Sequence, residues 1–225
     1  MGLALAAQLT AGLLALGSVE LFGAALGPRD AALMGIAAVT QGSLLVVVGL
    51  RRGGRLGGGR RLALAGLVFA AGLVSETVLR IATALGLSAG SLDGLAEAVQ
   101  SRGLVGGLLL LGMVVLAPLG EELVFRGALW RALEPLGPRV ALVVTSLCFS
   151  AVHLDPLHVI ATLPLAFFLG WLRHVTGGLQ ACVLAHFLNN GLWWVSAQIG
   201  LEGPDPWIAT PLALAALALA IWKVR

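Results

Sequence analysis

The sequence predicts an all-α, polytopic integral membrane protein of about eight transmembrane helices, and three observations carry that expectation. Of 225 residues, 59% are hydrophobic and only 11% are charged, which excludes an ordinary soluble domain. The mean hydropathy is +0.98. The charged residues interrupt apolar runs whose length suits the roughly 20 residues that a helix needs to cross a hydrocarbon core.

Taken in order, the apolar runs place spans near 3–26, 31–50, 62–87, 104–129, 140–154, 158–173, 178–198 and 207–222. Residues 1–26 hold no Lys or Arg, so the first run lacks the basic n-region of a signal peptide and is expected to remain as a span. The segment 51–61, RRGGRLGGGRR, concentrates Arg51, Arg52, Arg55, Arg60 and Arg61 among glycines, and the positive-inside rule assigns it to the cytoplasm. Alternation from that loop puts Arg131, Arg139, Arg173, Lys223 and Arg225 on the same side. Arg29 and Arg102 fall outside, together with Asp30, Asp93, Glu97, Asp155, Glu202 and Asp205. Both termini are then cytoplasmic. Residues 88–103 are too polar to span and read as an interfacial helix or a loop. Trp130, Trp171 and Trp222 sit near cytoplasmic span ends and Trp193, Trp194 and Trp207 near outer ones, the expected headgroup belts. The chain thus divides into N-terminal helices 1–103, a helical core 104–198 and a final span within 199–225.

The formal charge of +3 and pI near 9.7 reflect topology rather than a nucleic-acid partner. Cys148 and Cys182 stand alone in apolar runs, without metal-ligand spacing or a disulfide framework. Thirteen of the fourteen basic residues are Arg, among abundant Ala, Gly and Leu. That bias fits a GC-rich bacterial coding sequence, so the expected location is the inner membrane of such a cell.

Ionisable side chains within spans cost roughly 2.5–3.5 kcal/mol each on insertion scales and demand a partner or a purpose. The informative ones are Glu121, Glu122 and Arg126 in the fourth span, Phe149 and His153 in the fifth, and His186 and Asn190 in the seventh. At about 1.5 Å per residue, Glu121 lies roughly 17 Å from the cytoplasmic end of its helix, His153 roughly 20 Å, His186 roughly 15 Å and Asn190 roughly 21 Å. Three helices therefore bring costly polar groups to one layer. Glu122 and Arg126, spaced i, i+4, form the favoured order for an ion pair and anchor the helix. Glu121 faces elsewhere and is a candidate general base for water, with His153 helping to orient or deprotonate it. His186 and Asn190, again i, i+4, present two donors suited to an oxyanion. This constellation describes amide hydrolysis with no metal or other cofactor. Zinc held by two His and a Glu is the less favoured alternative, since no HExxH or other local ligand pair exists. Another class of reading is a non-catalytic scaffold, bacteriocin-immunity factor or transporter that uses the same polar layer. Glu76 and Arg80 read as a structural pair, Glu20 has no assigned partner, and Phe149 is expected to pack. His158 and His174 lie near span ends, where solvation is the expected role, with His158 an outside candidate because it is near His153.

At these residues the sequence resembles the CPBP family of CAAX-protease and bacteriocin-processing membrane proteins, also called Abi or Rce1-type. EExxxR is present as Glu121, Glu122 and Arg126, FxxxH as Phe149 and His153, and HxxxN as His186 and Asn190. The resemblance covers roughly 104–198. It implies a glutamic-type intramembrane endopeptidase in which Glu121 and His153 activate water, His186 and Asn190 form the oxyanion hole, and Glu122 and Arg126 support the site. It also implies a membrane-anchored protein or peptide as substrate, cut near its C-terminus. Within the family, a sorting role of the myxosortase type fits a bacterial origin better than a prenylated substrate. The oligomeric state is left open.

Overall fold

In a computed structural model of the chain, residues 30–51, 62–87, 98–200 and 204–224 are described. The expected first span with Glu20, most of the Arg/Gly-rich loop and most of segment 88–103 lie outside the described residues. Among the described residues the regular structure is entirely helical. Helix α1 is Asp30–Arg51. A 3-10 turn, Leu62–Leu67, leads into α2, Val68–Ala84. Helix α3 is the continuous run Gly103–Leu136. Then follow α4 (Pro138–Ala151), α5 (Pro156–Thr176), α6 (Gln180–Ile199) and α7 (Pro206–Val224). These match the second to eighth expected spans within a few residues at most ends.

Leu64–Ala84, α3 and α5 are each long and apolar enough to cross a membrane, while Ala38–Leu50, α4 and Trp207–Lys223 are apolar but shorter. Helix α6 has the length, but His186, Asn189, Asn190 and Gln198 lower its hydropathy. The chain is an all-α membrane protein.

Close backbone contacts fix the relative directions of the helices. A Cβ on Gly42 of α1 would stand 2.6 Å from Leu116 Cβ of α3, and one on Gly120 would stand 2.5 Å from Leu45 Cβ. Residue numbers rise together along this seam, so α1 and α3 run parallel, with small residues admitting the close approach usual between membrane helices. Helix α5 runs antiparallel to α4, since Ser146 Oγ bonds Ala166 O at 2.9 Å and Leu142 faces Gly170. It is also antiparallel to α2, where Ala82 packs on Leu157 and Val68 and Ala71 pack in one cluster with Leu165, Leu169 and Leu172. Thr77 and Thr210 share a hydroxyl hydrogen bond between α2 and α7. These directions gather Arg131, Arg139, Arg173 and Lys223 at one end of the bundle, here termed the basic end.

Three sequence expectations change. Helix α3 continues beyond residue 129 to Leu136 and stops only where Gly137, at φ 104°, and Pro138 redirect the chain. Helix α4 ends at Ala151, so His153 occupies a turn between α4 and α5 rather than a span. Fourteen residues make a helix about 21 Å long, short of the roughly 30 Å hydrocarbon core, which keeps the turn at depth. Its backbone groups are satisfied locally, with His153 N donating to Ser150 O at 3.2 Å and Leu154 N to Ala151 O at 3.3 Å, as nonhelical backbone at membrane depth requires. Third, Trp130 and Trp194 are buried among helices rather than placed in headgroup belts. The Arg173 guanidinium lies over the Trp130 ring at 5.4 Å, and Trp194 packs on Ala98, Val99 and Leu109.

Candidate active site

The site begins with an irregularity of α3. Two π-helical segments, Leu111–Leu116 and Leu123–Leu129, flank the α-helical stretch Ala117–Glu122 that carries both glutamates. Proline 118 has no N–H to give to the preceding turn. With Ala117 N–H bonded back to Gly112 O, the carbonyl left facing Pro118 in the π register is that of Met113. Asn190 Nδ2 reaches across from α6 and donates to Met113 O at 2.9 Å. After the second π segment begins, Arg173 Nε donates in the same manner to Arg126 O at 3.0 Å. Side chains of α6 and α5 thus clamp a helix whose own register is broken on both sides of the glutamates, a placement in which π segments recur at functional sites.

Glu122 and Arg126 are fully buried and paired, with Nη1 donating to Oε1 at 3.0 Å. Arg126 Nη2 donates to Ala166 O at 2.8 Å, and its guanidinium lies 4.4 Å from the centre of the Phe149 ring. The same Glu122 Oε1 accepts from His186 Nδ1 at 3.1 Å. A carboxylate oxygen only accepts, so Nδ1 carries a proton and Nε2 is the free face of the His186 ring. That Nε2 is 3.7 Å from Glu121 Oε2. Glu121 is itself 6% exposed and His186 3%. The i, i+4 pair expected from sequence is present, and it extends across helices to position His186.

Proton accounting follows from these contacts. Glu122 and Arg126 neutralise each other. Glu121 and His186 then reach neutrality in either of two ways: a carboxylate beside an imidazolium, or a protonated acid beside a neutral ring.

His153 Nδ1 is 3.1 Å from Phe149 O and 3.3 Å from Ser150 O. Carbonyls cannot donate, so Nδ1 is the protonated nitrogen and Nε2 holds a lone pair. Phe149 links the histidines: its ring centre lies 5.4 Å from that of His153 and 5.5 Å from those of His186 and Phe125. The expectation that Phe149 packs therefore understates it, because it is the common floor of the site. Glu121, Glu122, Arg126, Phe149 and His186 are in one contact network, and His153 joins it through Phe149. Asn190 is anchored beside it on Met113 and also accepts from Asn189 Nδ2 at 3.2 Å. Among the described residues no three His, Cys, Asp or Glu side chains are grouped to hold a metal ion.

Residues 104–192, somewhat under half the chain, match the family model for type II CAAX prenyl endopeptidase Rce1-like. Over these residues the chain is similar to Rce1-like domains. That family is one of proteases, and the similarity supports a peptide hydrolase in general. No curated protein and no solved structure matches the chain. The matched segment begins in α3 and ends within α6, so it contains every residue of the network.

Several members of the site were not legible beforehand. Met113 O and Ala166 O act through their backbones, which composition does not mark. The contact of His158 with His153, ring centres 4.3 Å apart, had a signal in Asp155-Pro156, a helix N-cap followed by proline at its first position, which turns the chain back. Glu76 and Arg80 pair as expected at 2.7 Å, well exposed, and His174 is exposed.

Proposed function

We propose that this protein is a glutamic-type intramembrane endopeptidase that hydrolyses a peptide bond near the C-terminus of a membrane-anchored protein or peptide. The observation that carries the proposal is the buried approach of His186 Nε2 to Glu121 Oε2 at 3.7 Å, beside the Glu122–Arg126 pair that holds the opposite edge of the ring. In the ionised arrangement Glu121 is a base and the adjacent imidazolium is a donor, and both are present at no net charge cost.

A water molecule between Glu121 and His153 meets two acceptors, the carboxylate and the Nε2 lone pair. Glu121 removes one proton as the water oxygen bonds to the substrate carbonyl carbon. His186 Nε2–H donates to the oxyanion that forms, while Glu122 holds the opposite edge of the ring. One N–H of the Asn190 amide is used by Met113 O, which leaves the second for the same oxyanion. When the C–N bond breaks, Glu121 returns the proton to the leaving nitrogen. Atoms and charge balance with no metal and no covalent intermediate. Positive-inside placement turns the basic end to the cytoplasm of a bacterial inner membrane.

The test compares C-terminal peptides of membrane fractions, by mass spectrometry, between cells carrying the wild type and cells carrying Glu121→Gln at equal abundance. Trimmed C-termini are expected with the wild type alone. Identical termini in both would favour the scaffold, immunity or transport reading. Trimming that a chelator stops and zinc restores would establish the zinc alternative.

A further inference from the structure

We propose that His158, which lies outside the three motifs, is a positioning residue that holds the His153 imidazole with its Nε2 lone pair turned into the site. Its effect on rate rests on the proteolytic reading above, whereas its effect on the His153 ring does not.

Among the described residues the hydrogen bonds of the His153 ring lie at one edge, where Nδ1 has two carbonyls, Phe149 O at 3.1 Å and Ser150 O at 3.3 Å, for a single N–H. That arrangement permits tilting between the two acceptors. Two neighbouring rings supply the further restraint. Phe149, from the preceding helix, lies at 5.4 Å with an interplanar angle of 61°, and His158, from the following one, lies at 4.3 Å and 55°. Their origins in different elements allow the pair to fix an orientation that neither fixes alone.

His158 is well placed for this role because its own backbone is pinned. Asp155 Oδ1 accepts from the N–H groups of Leu157 and His158, both at 3.0 Å. Thr162 Oγ1 donates to His158 O at 2.9 Å. Leu157 is buried against Ala82. Between the two rings, Leu154 adopts φ 57°, a left-handed conformation that a Leu holds only when its surroundings impose it. The turn is built to bring residue 158 back over residue 153. His158 borders the site through this ring contact with His153.

The chain has four histidines, which makes 15N-histidine spectra of the full-length protein in lipid nanodiscs tractable. In the wild type, His153 is expected as a single tautomer with protonated Nδ1 and bare Nε2. His158→Ala should mix or broaden the His153 nitrogen signals while those of His186 stay unchanged. His158→Phe, which keeps a ring without nitrogens, should restore the single state. In parallel, trimmed C-termini should accumulate about ten- to a hundredfold more slowly with His158→Ala and recover with His158→Phe. An unchanged His153 spectrum in His158→Ala would overturn the proposal, as would a Phe variant that fails to restore it. If the Ala variant does not fold, His158→Leu takes its place. If the wild type itself trims nothing, the rate comparison fails with the proteolytic reading, and the spectra still decide the role of His158.

Discussion

The stretches of α3, α5 and α6 that meet at the site are packed differently on the two sides of Glu121. Toward the basic end, every residue from Glu121 to Ala128 is buried, as are Leu165, Ala166, Phe168, Leu169, Gly170 and Leu172 of α5. Away from it, none of residues 158–164 of α5 and none of residues 187–191 of α6 is buried. The tight half holds the charges that the protein neutralises itself: Glu122, Arg126 and the Nδ1 edge of His186. The loose half holds the groups that would meet water and substrate: His153, His158, Asn189 and Asn190. A site that hydrolyses peptide inside a membrane needs both, because charges must be fixed without water at one end while water must arrive at the other.

The comparison breaks most decisively at Glu122. Glu122→Gln leaves the Arg126 cation buried without its partner and weakens the acceptor of His186 Nδ1. Removing one member of a buried pair costs about 3–5 kcal/mol, so purified protein should lose most of its resistance to unfolding in detergent. Replacing both residues, as Glu122→Leu with Arg126→Met, should recover much of that loss while cleavage stays absent. A Glu122→Gln protein as stable as the wild type would show that the tight half does not depend on its charges.

How much of this was legible in the sequence depends on where each interaction lies along the chain. Helices α2, α5 and α6 follow from hydropathy, and the Glu122–Arg126 pair from i, i+4 spacing, because both signals are local. The bond from Glu122 to His186 crosses from α3 to α6, and no spacing encodes which of two neighbouring glutamates meets the ring. Pro118 announces that a carbonyl in the preceding turn loses its donor, yet the π register that makes it Met113 and the choice of Asn190 as donor are tertiary. The exit of His153 from its helix was hidden by an apolar run that hydropathy reads as one span. Its marker was the Asp155-Pro156 pair, a local signal of chain reversal rather than of polarity.

The contrast in packing sharpens into a difference in reagent access. Asn189 lies in the loose half and is partly exposed, and Cys182 lies fully buried in the tight half. In a Cys148→Ser background, Asn189→Cys in the folded, lipid-embedded protein should react with a water-soluble maleimide about tenfold or more faster than the native Cys182 thiol, since access controls thiol reactivity. Equal rates would mean that water does not reach the loose half and would remove the route by which a substrate water arrives.

The smallest effect on stability is expected at Asn190, and there the two possible roles of one side chain come apart. Its bond to Met113 O joins α6 to the broken turn of α3, and interhelical hydrogen bonds in membranes are worth about 0.6 kcal/mol on average. Asn190→Ala should therefore unfold only slightly more readily than the wild type. If its second N–H also serves the oxyanion, the same substitution should slow cleavage by about 10²–10³-fold, the usual cost of one such donor. Asn190→Asp keeps an oxygen at the position but offers a carboxylate to an oxyanion, and it should be at least as slow. A fall in rate no larger than the small loss of stability explains would assign Asn190 to the clamp on α3 alone. His186 would then be left as the sole side-chain donor to the oxyanion.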